Sequence, residues 1–197
     1  MCRFNTCGCR ALHQEKPSRE ADVNFYMNDT PGGFAHLFKN NRHINRLRVF
    51  ASSTATNQPK VFESSSLVVD ECIVLPRRTS GENLAFSEPF DIINSGIIKR
   101  WPALVNVGKI KKLTIIHYER ESDLWHVICD ESRLLTDLFT FNSERYTPYM
   151  THKNKGLMLV SSKTENSKNY IAQYIEQFDN YVSYYKEKNN VLLEKGA

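Results

Sequence analysis

The apolar positions of this chain fall mostly in short runs separated by polar breaks. Two of those runs, Leu113–Tyr118 and Leu124–Cys129, flank the charged break Glu119–Asp123. Both are rich in β-branched and aromatic residues, the composition of strands, and the break between them reads as a turn. The pattern predicts an antiparallel hairpin over about 111–130. Centred on Glu121–Ser122, it sets His117 opposite His126, with Ile115 and Ile128 on the same side and Tyr118, Trp125, Ile116 and Val127 on the other. Large apolar side chains on both faces describe a strand pair covered on both sides. By the same criteria Leu47–Ala51, Lys60–Glu63, Leu67–Leu75 and Gly156–Ser161 are further strands.

Helical spacing appears elsewhere. Thr30 can cap and Pro31 fits a first turn, after which Phe34, Leu37, Phe38 and Ile44 share one face. Lys39, Arg42, His43 and Arg46 then form a compact cationic face on the opposite side. Ser87 and Pro89 open a short helix to about Asn94, and Asp130 or Ser132 can cap one carrying Leu134, Leu135, Leu138 and Phe139. Trp101, before Pro102, is expected extended and in the core. From about Asn166, the residues Ile171, Ile175, Phe178, Val182, Tyr185, Asn189 and Leu192 recur at steps of four and three. That is one seam along a long helix, with Asn189 as a polar register residue.

The expected fold is α+β: a mixed, mostly antiparallel sheet around the central hairpin, with packed helices and a long C-terminal helix. Residues 1–29 read as an irregular cysteine-containing arm and residues 30–165 as the core domain. Residues 166–197 form an amphipathic helix that packs on the core or mediates self-association through residues 166–194.

Composition narrows the classes. With 197 residues, 41% apolar and 24% charged, the chain can bury a real core. No apolar run approaches the ~18 residues of a membrane span, and the N-terminus lacks a signal-peptide core. The expected location is the cytoplasm, or a host cell if the protein is a delivered effector. The five cysteines are an odd number with three crowded at one end, unlike a secreted disulfide framework. The net charge of +4 is unevenly spread: residues 1–60 carry nine Lys/Arg against four Asp/Glu. A local basic surface points to an anionic partner such as nucleic acid or a membrane surface, and against nucleic acid each neutralised phosphate releases counterions. Arg145, Tyr149 and Lys153 in the polar–aromatic stretch Asn142–Asn154 add cations interleaved with rings, the ingredients for holding a phosphate or stacking a base.

Three groups are candidates for chemistry. His117 and His126, facing each other, would supply an acid and a base for metal-independent phosphodiester cleavage. Asp70 and Glu71 interrupt an otherwise apolar strand and are a candidate acid–base pair. Cys2, Cys7, Cys9 and His13 are ligands that zinc prefers, although their spacing lacks the C-x2-C of common zinc modules. The stretch HKNKGLMLVSS resembles the HxK motif of phospholipase-D-like enzymes, but its lysine spacing departs from that motif and no distal aspartate follows, so no activity is carried over. GxSxG, P-loop, GxGxxG, HExxH and DxDxDG motifs are absent. The favoured expectation is a basic α+β protein binding nucleic acid or another anionic partner. A paired-histidine phosphodiesterase or nuclease, and an assembly protein acting through the C-terminal helix, are the alternatives.

Overall fold

The computed structural model describes residues 22–27, 36–39, 41–51, 62, 65–76, 99–118, 126–138 and 156–196. In chain order these form β1 (Val23–Met27), β2 (His43–Ala51), β3 (Val68–Pro76), α1 (residues 99–106), β4 (Ile110–Ile116), β5 (His126–Cys129), β6 (Arg133–Leu138), β7 (Gly156–Ser161), α2 (Glu165–Glu187) and β8 (Val191–Gly196). The eight strands make one mixed sheet in the order β1-β7-β6-β5-β2-β3-β4-β8. β2, β3 and β4 run parallel, and every other neighbouring pair is antiparallel. The α+β class, the mainly antiparallel sheet and the long C-terminal helix are as the pattern predicts.

Successive strand residues serve opposite faces. Val127, Leu135 and Leu159 join the larger buried cluster with Trp101, Leu104 and Val105 of α1, while Ile128, Leu134 and Val160 meet Ile171 of α2. Further along α2, Phe178 and Tyr185 pack on Phe50, Leu75 and Ile116. The middle of the sheet is therefore covered on both sides, as the unbroken apolar runs require.

The central hairpin does not exist. Its two halves are β4 and β5, with β3 and β2 inserted between them. Residues 117–125 are enough to cross three strand spacings, about 14 Å, since nine residues reach roughly 30 Å extended. Runs apolar on both faces show burial but name no neighbour. The hairpin that does form is β5–β6, closed by residues 130–132, with Asp130 in the left-handed region at φ 51°.

Three helix expectations also change. The helix carrying Leu134, Leu135 and Leu138 is strand β6, whose adjacent Leu134 and Leu135 go to opposite clusters. The cationic helix is replaced over its second half by β2, although His36 and Leu37 are helical. Trp101 is buried as expected but lies in α1, not in extended chain, with Pro102 in the first turn of the described helix. Phe62, expected on a strand, has helical backbone, and part of the expected arm is β1, paired with β7. The helix near Ser87–Asn94 lies outside the described residues.

α2 begins at a capping box in which the Thr164 side chain accepts from the Ser167 N–H while the Ser167 hydroxyl accepts from the Thr164 N–H. It stops at Glu187. Asn189, at φ 58°, turns the chain into β8, so this asparagine ends the helix and sets no register, and Leu192 lies on a strand. The seam Ile171, Phe178 and Tyr185 is buried against the chain's own sheet. The covering that self-association would provide is already supplied within the chain.

An ion pair with its arginine buried and its aspartate half-exposed fixes where α2 crosses. Arg48 of β2 is 3% exposed and meets Asp179 of α2 with both prongs, Nε to Oδ1 at 3.0 Å and Nη2 to Oδ2 at 3.1 Å. Asp179→Ala leaves the buried guanidinium without its carboxylate and, because Asp179 itself is half-exposed, is expected to cost about 1–2 kcal/mol in urea unfolding, between an exposed and a buried pair. Replacing both residues together, Arg48→Met with Asp179→Leu, is expected to recover most of that loss; equal losses in the single and double variants would show that the pair is not what holds the helix.

Candidate nucleic-acid interface

Three neighbouring strands share one local sequence pattern. INRLRVF (44–50), VDECIVL (69–75) and IKKLTII (110–116) each read apolar–polar–polar–apolar, and the three residues that follow are apolar except for Arg48 and Thr114. They lie in register, Ile44 beside Val69 beside Ile110, and Leu47 beside Cys72 beside Leu113. All six of these residues are buried in the same cluster, so the spacing between core positions is three residues instead of two. Each strand takes the same local step at the same height, and its two polar residues come to the surface together.

The result is a ladder of charge across the sheet near the start of the three parallel strands. Asp70 Oδ1 lies 2.9 Å from His43 Nε2 and 2.7 Å from Lys111 Nζ. Glu71 accepts from Arg46 Nε at 2.6 Å and Lys112 Nζ at 3.1 Å. Hydrogen bonds from Lys111 and then His43 hold the Asp70 carboxyl below the usual range. For Glu71, partial burial pushes upward, but the bonds from Lys112 and Arg46 outweigh it and the net shift is downward. Both groups are settled anions, poorly suited to giving or taking a proton near neutrality. The acid–base role expected for them finds no support in this geometry.

The cations form a more open set. Arg46, Lys111 and Lys112 keep 48%, 62% and 61% of their side chains exposed, and Lys39 and Arg42 are exposed just before β2. Arg133 of β6 donates to the carbonyls of Leu37 and Lys39, at 2.9 and 2.8 Å, which holds the chain entering β2. Asp130 ties the β5–β6 turn to β2: its side chain accepts from the Arg46 N–H at 2.9 Å, and its own N–H donates to the Arg46 carbonyl at 2.8 Å. Of the cations expected on one helix face, His43 and Arg46 lie on β2 instead, and Lys39 and Arg42 precede it. Lys111 and Lys112 were missed as members of the set. The signal that would have found them is the repeated four-residue pattern, whose acidic copy belongs between its two basic-bearing copies.

The histidines are not a pair. His126 starts β5 opposite Thr136 and Phe50. It is 1% exposed, stacked on Phe50 at 5.0 Å and met edge-on by Tyr174 at 5.2 Å. His117 follows β4, its backbone N–H donating to the Asn190 carbonyl at 3.1 Å. Burial pushes the His126 pKa down to about 3, so it is a neutral core residue. Both histidines lie at the sheet edge where β2, β3 and β4 end, away from the charge ladder. Arg145, Tyr149 and Lys153 lie outside the described residues, as do Cys2, Cys7, Cys9 and His13 with the zinc they would hold. No helix among the described residues is long and apolar enough to cross a membrane.

No protein-family model and no curated protein matches the chain. Solved structures do. The archaeal chromatin protein TrmBL2 aligns with a TM-score of 0.50 at 11% identity over 85% of this chain, which spans about half (54%) of that one. Nuc from Salmonella typhimurium, a phospholipase D family member, aligns at 0.47 and 12% identity over 89% of this chain and 98% of its own. Phosphatidylserine synthase from Haemophilus influenzae gives 0.44 and 12% over 89% of this chain and 40% of its own. At these identities the likeness to TrmBL2 concerns the fold alone.

A Glu71 carboxylate stabilised by cations supports the fold above its unfolded pKa, and that support fades as pH falls through the lower folded value. Glu71→Gln is therefore expected to flatten the loss of stability below about pH 4.5. At neutral pH it should change unfolding free energy by under about 1 kcal/mol, the range for pairs near the surface. Thermal melts from pH 3 to pH 7 check both parts.

Proposed function

We propose that the protein binds nucleic acid through the basic edge formed by Lys39, Arg42, Arg46, Lys111 and Lys112. One observation carries the reading: each carboxylate of β3 is bracketed by two basic side chains, and Lys39 and Arg42 stand beside the ladder, so exposed positive charge outnumbers negative. Such a surface meets phosphates, which contribute affinity and orientation without reading sequence. TrmBL2, whose fold is similar, is a DNA-binding chromatin protein; the reading for this chain stands on its own charge distribution. No second reading is favoured, because the histidine pair is absent and the helix seam is covered.

Affinity for a mixed-sequence duplex is expected to fall linearly on a log–log salt plot. Charge reversal at Lys111 and Lys112 should lower the slope by about 0.9 for each phosphate that is no longer neutralised. The double neutralisation Asp70→Asn with Glu71→Gln should act in the opposite sense and tighten binding. Fluorescence anisotropy in graded potassium chloride measures all three; binding that ignores salt, or is indifferent to both sets of substitutions, would remove this surface from consideration.

A further inference from the structure

α2 rests on the sheet through two small buried clusters, one around Phe50, Ile116 and Tyr118 and one around Ile128, Leu134 and Val160. The larger cluster lies on the other face, with α1. The layer containing α2 is thus the thinner attachment, and regions that bury less apolar surface open first. Inside this attachment sits His126. Phe50 stacks on it, Tyr174 and Phe178 close it edge-on at 5.2 and 6.1 Å, and neither ring nitrogen has a hydrogen-bond partner among the described residues.

Among the described residues, the surroundings offer no anion to receive a proton's charge. From α2 the ring faces Tyr174, whose hydroxyl is 3.2 Å from that of Tyr170, and Phe178; from β6 it faces Thr136. On β2 the nearby charge is the cation Arg48, and the carboxylate of Asp179 is already engaged by it on both oxygens. An imidazolium there would be desolvated and uncompensated.

We propose that His126 makes the docking of α2 acid-labile, so that in mildly acidic solution the helix lifts from the sheet while the sheet and its α1 layer stay folded. The linkage has a definite sign. The ring binds its proton at about 3 when α2 is docked and near the ordinary 6.5 when exposed, so docking is fully stable above 6.5 and weakens as pH falls towards 3. Asp70 and Glu71, held below their usual values, stay ionised through the upper part of this window. Undocking would bare Phe50, Leu75, Ile116 and the Arg48 guanidinium, a face with chemistry unlike that of the basic edge.

Hydrogen exchange read by mass spectrometry, corrected for intrinsic rates, tests this on the full chain. Peptides of α2 should open about 25-fold more readily at pH 5 than at pH 7, with β3 and β4 peptides unchanged. His126→Phe should abolish the rise, and Asp179→Asn should loosen α2 at both pH values while leaving the rise in place. If His126→Phe does not fold, the wild-type opening constant decides alone, by rising tenfold per pH unit below about 6. Loss of protection in β3 and β4 together with α2, a rise that survives in His126→Phe, or a flat wild-type profile would each overturn the proposal.

Discussion

A guanidinium cannot sit under a helix without a carboxylate to meet it, and that requirement on Arg48 organises one whole face of this molecule. Arg48 is in the middle of the central strand β2, so its partner Asp179 must lie over the centre of the sheet. Helical geometry then distributes the rest of α2: Ile171, two turns earlier, falls over β5, β6 and β7, and Tyr185, nearly two turns later, falls beside Ile116 of β4. The crossing delivers the chain to Asn189 beside the outer edge of β4, where β8 pairs. An ion pair of this kind, buried at its arginine end, adds little net stability over an apolar substitute. What it supplies is an address, since sliding the helix by one turn would leave a charge buried alone.

The charge ladder works similarly within the sheet. Exposed ion pairs contribute little energy, but these select a register. A one-residue slip of β3 against β2 or β4 would bring unlike positions together in the shared step and set core residues beside solvent-facing ones. With Asp70 and Glu71 between His43 and Arg46 on one side and Lys111 and Lys112 on the other, the acidic strand has one position that satisfies both neighbours. Parallel strands have no tight turn to set their alignment, and here side-chain charge performs that task.

Much of this was legible in the chain, and the failures have a common cause. Burial on both faces came through clearly, because a run such as CIVL leaves no polar face. The strand Gly156–Ser161 and the start of α2 came through as well, each bounded by polar residues that permit only one reading. Neighbour relations did not: the runs around His117 and His126 are close in sequence, yet adjacency along the chain does not imply adjacency in the sheet, where β3 and β2 lie between them. The cationic helix failed for a sharper reason. A shared step in a strand puts core residues three apart, as Ile44 and Leu47 are, and three is also a helical spacing. Leu134 and Leu135 misled in the reverse way, consecutive leucines suiting a wide helical stripe as well as a strand buried on two sides. The charges of Asp70 and Glu71 drew attention as chemistry because a single strand gives no hint of the cations beside it.

The two edges of the sheet consequently differ in kind. Where β2, β3 and β4 end, the buried rings of Phe50, Tyr118 and His126 lie together and carry no exposed charge. Where those strands begin, the connections at 130–132 and 162–164 are short and the charges stand on strands already fixed in register. A phosphate meeting Arg46 or Lys112 finds a side chain partly ordered by Glu71, so less rotamer entropy remains to be lost on binding. The same carboxylate weakens the attraction it helps to aim. Balanced this way, the basic edge suits broad and reversible association with a polyanion better than tight capture of a single small ion, for which one or two unopposed cations in a pocket would serve better.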